Sequence, residues 1–185
     1  MVKNVVNKNE YQETQFLYQR DNKFYYQLNI IVDTVESYYI CLSEVYDHVP
    51  DYNEHKQLFS DYLLKCKKYK IEELNQYDKS SNVNCFYING MEIWLDKATR
   101  VGLSNSISME KSVGFEETIL YLNGIELSIP VDKALDMLVS LEMYALNCYR
   151  QTEKHRANIQ SLDAIKDVEE YDITTGYPDK LSLSI

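Results

Sequence analysis

The sequence predicts an α+β fold. Two consecutive hairpin–helix (ββα) units form an antiparallel sheet packed by helices, preceded by an N-terminal region of one β-hairpin and one helix. Three observations predict it. Asn-Gly sits between apolar runs twice, in FYINGMEIWLDKA at 86–98 and in ILYLNGIELSIPVDKA at 119–134. Asp-Lys-Ala follows each pair a few residues later. From Val131 to Leu162, apolar or small side chains recur every three or four positions, which is the spacing of one helical face.

Taken in order, residues 1–22 are polar and are expected to form an extended arm or irregular lead-in. KFYYQLNIIVD at 23–33 is rich in aromatic and β-branched residues and reads as a strand. DTVES then reads as a turn, and YYICLSEVY at 38–46 as the antiparallel return. DHVPDYNEH is a loop punctuated by Pro50, with Asp51 or Asn53 as cap of a helix running to about Gln76. Leu58, Tyr62, Cys66 and Tyr69, flanked by Phe59 and Leu63, mark its apolar face. YDKSSNVN at 77–84 is a polar linker, so the boundary is placed at 80. Residues 1–80 form a hairpin-and-helix attachment region, and 81–185 a ββαββα domain with a long C-terminal helix.

Within that domain the first hairpin turns at Asn89-Gly90 and the second at Asn123-Gly124. A type I′ turn needs positive φ at both central residues, which Asn and Gly tolerate best. Asp96 and Asp132 are then the expected N-caps, each accepting a free N–H of the following turn. The first helix runs from Lys97 to about Lys111, with Gly114 as its stop and Gly102 and SNSIS weakening its interior. The second runs from 132 to about 161, and a short further helix is expected over 164–171. The hairpin–helix units lie 34 residues apart and read as a duplicated building block. A two-stranded hairpin is marginal alone, so the expectation is one four-stranded sheet with both helices on one face.

Composition narrows the function classes. The chain has 185 residues, enough for one domain and an appendage, with 45% apolar residues and a net charge of −10. Such acidity repels phosphate backbones and anionic lipid, so neither a nucleic-acid groove nor a membrane surface is expected as partner. No stretch is long and apolar enough to span a bilayer, and MVKNVVNKNEY contains no apolar signal core. Cys41, Cys66, Cys85 and Cys148 form no Cys-x-x-Cys pair, and read as free thiols used as small core residues in a reducing cytoplasm. Tyrosine is the outlier, with 17 copies against five Phe and one Trp. Tyr suits half-buried strands and protein interfaces, although codon bias produces the same count.

No chemistry-bearing constellation emerges. His48 and His55 flank VPDYNE at no usual ligand spacing, so they read as a solvated loop rather than a metal site. His155 falls on the long helical stripe, where it is either a buried core histidine or a register-setting polar group. Lys154 and Arg156 beside it read as a solvated face. Neither a nucleophile elbow nor a glycine-rich phosphate loop is present. Asp167, Glu169 and Glu170 read as solvated carboxylates at a helix end. The chain is expected to be no enzyme and to need no cofactor or metal. The candidate interface residues are Tyr25, Tyr26, Tyr38, Tyr39 and Trp94, with Trp94 either a surface anchor or packed on the covering helix.

From Cys85 to Pro178 the chain resembles a domain-of-unknown-function family of phages and prophages whose genes lie beside tail-fibre genes. The resemblance rests on FYINGMEIWLDKATRVGL, ILYLNGIELSIPVDKALDMLVSLEMYALNCY and HRANIQSLDAIKDVEEYDITTGYP, the last carrying Ile165, Val168, Glu169, Tyr171 and Asp172. It implies a bacteriophage virion component, fibre-associated or an attachment adaptor. Such a component is made in the host bacterial cytoplasm and works as a homo-oligomer against other phage structural proteins through interfaces. It carries no catalytic residues over. The other readings are a tail-fibre assembly chaperone, an acidic DNA mimic that occupies a host enzyme, and a hydrolase with an unrecognised site.

Overall fold

A computed structural model of the chain describes residues 1–9, 17–33, 38–48 and 52–184. The fold is α+β with mainly antiparallel ladders and divides into two compact units. The first comprises Met1–Glu72 and Asn158–Tyr171, the second Glu73–Ala157 and Asp172–Ile185.

In the first unit, strands β1 (Val2–Asn7), β2 (Leu17–Arg20), β3 (Lys23–Asp33) and β4 (Tyr38–Tyr46) form an antiparallel sheet in the order β1-β4-β3-β2. Two of these strands come from the segment expected to be an irregular arm. Strand pairing is made by backbone groups, so an edge strand need not be apolar. One inward side chain, Val6 at 3% exposed, suffices to dock β1. The β2–β3 connection is a tight turn in which Asp21 and Asn22 take φ 53° and 59°, the left-handed conformation that short polar side chains tolerate. Register shifts between Gln27 and Asn29 and between Ile30 and Val32 break the alternation of β3. The expected DTVES turn lies mostly outside the described residues.

Helix α1 (Tyr52–Lys79) starts before Asn53, which is therefore not its cap; Asp51 lies outside the described residues. Its inner face carries Phe59, Tyr62, Leu63 and Cys66, packed with Leu42 and Tyr46 around buried Tyr26, Leu28 and Ile165. Tyr69 does not belong to this face. It is 62% exposed, because the stripe advances by four from Cys66 to Lys70 and then to Leu74. The short helix α4 (Ile165–Glu170) buries Ile165 and Val168. Lys67 donates to the Gln160 carbonyl at 2.7 Å and Lys70 to the Glu169 carbonyl at 3.0 Å. Both cations thus satisfy carbonyls in the last turn of a helix, where the helix dipole favours positive charge.

The second unit begins inside α1. The expected linker at 77–84 is helical through Lys79 and then turns through Ser80, and its Val83 is 1% exposed. Strands β5 (Phe86–Ile88) and β6 (Met91–Ile93) form the first hairpin, with Asn89 at φ 49° and Gly90 at 80°. Helix α2 (Lys97–Ser112) follows, then strands β7 (Glu117–Leu122) and β8 (Ile125–Pro130), turning at Asn123 (φ 49°) and Gly124 (φ 78°). Helix α3 (Val131–Ser161) completes the duplicated pattern. Its three-four stripe packs within the chain: Val131, Ala134, Leu138, Leu141, Cys148, Thr152, His155 and Ile159 are buried, while Ala145 and Leu162, on the same expected stripe, are half-buried.

The four hairpin strands do not form one sheet. Among the described residues β7 and β8 pair only with each other, while β5 lies between β6 and β9 (Ser182–Leu183). The chain's tail runs parallel to β5, Tyr87 opposite Ser182 and Ile88 opposite Leu183, and so occupies that edge of the first hairpin. The hairpins meet instead through side chains: Asn123 Nδ2 donates to the Glu92 carbonyl at 3.0 Å, and their inward residues share a core. Phe86, Ile88, Ile93, Ile107, Leu120, Leu122, Ile129, Leu138 and Leu141 form the shared core.

Candidate functional site

The expected interface residues differ in exposure. Tyr26 is a core residue at 3% exposed and is unavailable to a partner, which corrects that reading. It points inward because its β3 position places it over α1. Tyr25 and Tyr39 are half-buried, and Tyr38 is 39% exposed. Trp94 is half-buried, its ring 6.3 Å from Phe86 and 5.4 Å from the Arg100 guanidinium.

The two Asp-Lys-Ala segments play different parts. Asp96 caps α2, accepting the Thr99 N–H at 2.8 Å, and that bond holds its carboxyl below the usual carboxylate range. Asp132 is not a cap, because α3 begins one residue earlier, at Val131. Val131 N–H is already taken by the Glu116 carbonyl at 2.9 Å. Asp132 sits in the first turn and pairs with Lys111 at 2.6 Å, and that contact raises the lysine's pKa. The end of α2 is closed by paired bonds, Gly114 N–H to Lys111 and Phe115 N–H to Glu110, with Gly114 at φ 90°. This is the Schellman arrangement.

His155 is a structural post. It is 3% exposed, with Nε2 2.8 Å from the Thr175 carbonyl, and its ring stacks on Tyr177 at 5.6 Å. The Thr152 hydroxyl beside it donates to Asp78 at 2.6 Å and lies 2.9 Å from the Tyr177 hydroxyl. These bonds fasten residues 172–181 to α3 and the end of α1, all within the second unit. His48 packs edge-on against Tyr46, and the side chain of His55 lies outside the described residues. Cys41 is fully buried and its thiol is pushed up to about 11, and burial also raises Cys66 and Cys148. Such thiols are poor nucleophiles at neutral pH. Asp167, Glu169 and Glu170 are exposed. Among the described residues, no three His, Cys, Asp or Glu side chains are placed to hold a metal ion, and no helix is long and apolar enough to cross a membrane.

Two features of the second unit were not read from sequence. One is a run of exposed large apolar side chains from the end of α2 through the second hairpin. Met109 is 69% exposed, Val113 72%, Phe115 61%, Ile119 55% and Tyr121 68%. On β7 the alternation sends Leu120 and Leu122 into the core and Ile119 and Tyr121 outward. The alternation itself was visible, but not which side would be left uncovered. The other is a half-open cleft of about 280 Å³ between α2 and α3, lined by Arg100, Val101, Ser104, Asn105, Leu138, Val139 and Glu142. Arg100 is 7% exposed, with Nε donating to Glu142 Oε2 at 2.9 Å and Nη1 to the Leu95 carbonyl at 2.5 Å. Arg100 and Glu142 stand 42 positions apart, so no local pattern pairs them.

No family model, no curated protein and no solved structure matches this chain.

Proposed function

We propose that this chain is a bacteriophage virion structural protein, a fibre-associated adaptor or attachment component that acts through protein–protein interfaces rather than by catalysis. The observation that supports an interface role is the run of exposed apolar side chains, Met109, Val113, Phe115, Ile119 and Tyr121. Exposed Ile or Phe occurs singly on most proteins, but so many large apolar groups on one short segment mark a surface that a partner covers. The phage assignment draws on the resemblance of residues 85–178 to a phage and prophage family, not on this surface. The proposal places the protein in the virion as a homo-oligomer in contact with fibre, tail or capsid proteins.

The test is mass spectrometry of purified virions. The chain is expected among the particle proteins in defined copy number. Its presence in infected-cell lysate with absence from particles replaces the structural role with an assembly-chaperone role. Recovery of host nucleases in a pull-down, with no virion protein, replaces both with the acidic-mimic role. Acid and base interleave on α3, where Glu153 and Arg156 pair at 3.2 Å, and this layout does not favour a mimic, which needs rows of carboxylate.

A further inference from the structure

We propose that the free edge of β8 is a docking site for a second copy of this chain, the two β8 strands pairing antiparallel about a two-fold axis at Leu127. The inference deepens the interface reading and rests on its homo-oligomer.

The turn decides which backbone groups face outward. Leu122 and Ile125 flank the two-residue Asn123-Gly124 turn, so they exchange both backbone hydrogen bonds. Alternation gives the same role to Leu120 with Leu127 and to Thr118 with Ile129. The bond from Val131 N–H to the Glu116 carbonyl at 2.9 Å continues the series. The N–H and C=O of Glu126 and Ser128 therefore point away from β7. Among the described residues no strand pairs with that edge. Burial marks β8 as the outer strand. On β7 the inward Thr118, Leu120 and Leu122 are 3–4% exposed, whereas on β8 the inward Ile125 is 45% exposed and Leu127 half-buried. Such an edge is a template for another strand, and a hairpin of two strands is marginal until it gains neighbours.

The side chains choose the occupant and its register. Three antiparallel registers bring Glu126 or Ser128 of one copy against the same two residues of the other. With Glu126 opposite Glu126, carboxylates face each other directly, which destabilises the pair. With Ser128 opposite Ser128, Glu126 faces Pro130, which has no N–H to give. With Leu127 opposite Leu127, Glu126 faces the uncharged Ser128 on both sides of the axis, and each such pair exchanges N–H and C=O. Pro130 then falls opposite Gly124, in the turn, where no ladder bond is lost. The same register sets Ile125 opposite Ile129 on the inward face, so the exposed Ile125 and half-buried Leu127 gain apolar partners. The strand is thus complementary to itself, as a two-fold interface requires, and two hairpins become one four-stranded sheet. An edge this short buries less than the standard interface of about 1,600 Å², so the dimer is expected to form on the order of 0.1 mM.

The test uses the full chain. Sedimentation velocity over a concentration series is expected to show a monomer–dimer equilibrium. Amide hydrogen exchange followed by NMR is expected to slow at Glu126 and Ser128 as the dimer fills. Ser128→Glu sets carboxylate against carboxylate in this register and is expected to weaken the dimer about 10-fold. Glu126→Lys combined with Ser128→Glu sets opposite charges there and is expected to restore it. Both side chains are exposed, so neither change opens the core. A chain that stays monomeric at every concentration overturns the proposal and leaves the edge to a strand of another protein. A dimer whose Glu126 and Ser128 amides exchange as in the monomer, or a double variant that fails to recover, overturns it as well. Virion mass spectrometry is independent of these outcomes: a chain absent from particles that pairs through β8 loses the virion role and keeps the dimer.

Discussion

Asp96 shows how much a single residue decides at its own scale. Its carboxylate accepts the Thr99 N–H at 2.8 Å, and the same bond lowers its pKa. The folded state therefore binds a proton less readily than the unfolded chain. The stability Asp96 contributes is fully present above the ordinary aspartate value of about 3.9 and is lost as pH falls through the lower, folded value. Asn caps a helix as well as Asp does but does not titrate. Asp96→Asn is therefore expected to keep the wild-type melting temperature near neutrality apart from a small loss of dipole attraction. Below about pH 4 it should lose less stability than the wild type, as followed by circular dichroism melts across the acid range. Asp96 was legible because cap chemistry is local. Asp132, in the same Asp-Lys-Ala setting, was misread because its role depends on a long-range bond, Val131 N–H to the Glu116 carbonyl.

At the scale of the element, α2 carries a residue of low helix propensity in its interior. Gly102 lies in its interior, is exposed, has an ordinary helical φ, and a Cβ added there meets nothing within 4 Å. Gly102→Ala is expected to stabilise the protein by about 0.5–1 kcal/mol. That corresponds to a rise of about 1–4 °C in melting temperature for a chain of this length. A fall in melting temperature would show that the helix needs the glycine for a contact this structure does not contain. The hairpins behave differently. Asn-Gly fixes each turn locally, so both were legible, but what lies beyond a two-stranded edge is not encoded in the turn. β9 took the edge of β5, and although LSLSI at 181–185 alternates as a strand does, nothing local says which edge it pairs with. The stripe of α3 was legible residue by residue, since three-four spacing maps directly onto one buried face.

For the whole molecule, chain order and spatial order part company. The first unit is completed by Asn158–Tyr171, after most of the second unit has been traversed. Ile165 is 2% exposed against Tyr26 and Leu28, and Lys67 and Lys70 find carbonyl partners at Gln160 and Glu169. A fragment ending at residue 80 keeps Tyr26, Leu28, Lys67 and Lys70 but lacks Ile165 and both carbonyl partners. It is expected to show less cooperative melting than the intact protein, with about 2–3 kcal/mol lost from Ile165 alone. A fragment that melts as sharply as the full chain would show that residues 158–171 are dispensable to the first unit.

The sequence by itself determined the α+β class, both Asn-Gly turns, the Asp96 cap, the buried stripe of α3 and strands β3 and β4. Each follows from interactions within a few residues: positive φ at a turn, a carboxylate over a free N–H, or a period of 3.6 or 2. Only the tertiary structure decided that the polar N-terminal arm contributes strands and that the tail completes a sheet. It alone decided that Tyr26 is interior, and that Arg100 and Glu142 meet in a cleft. Those outcomes depend on backbone edges and side chains brought together across tens of residues, where the deciding energy is burial against a distant neighbour rather than any preference the local sequence carries.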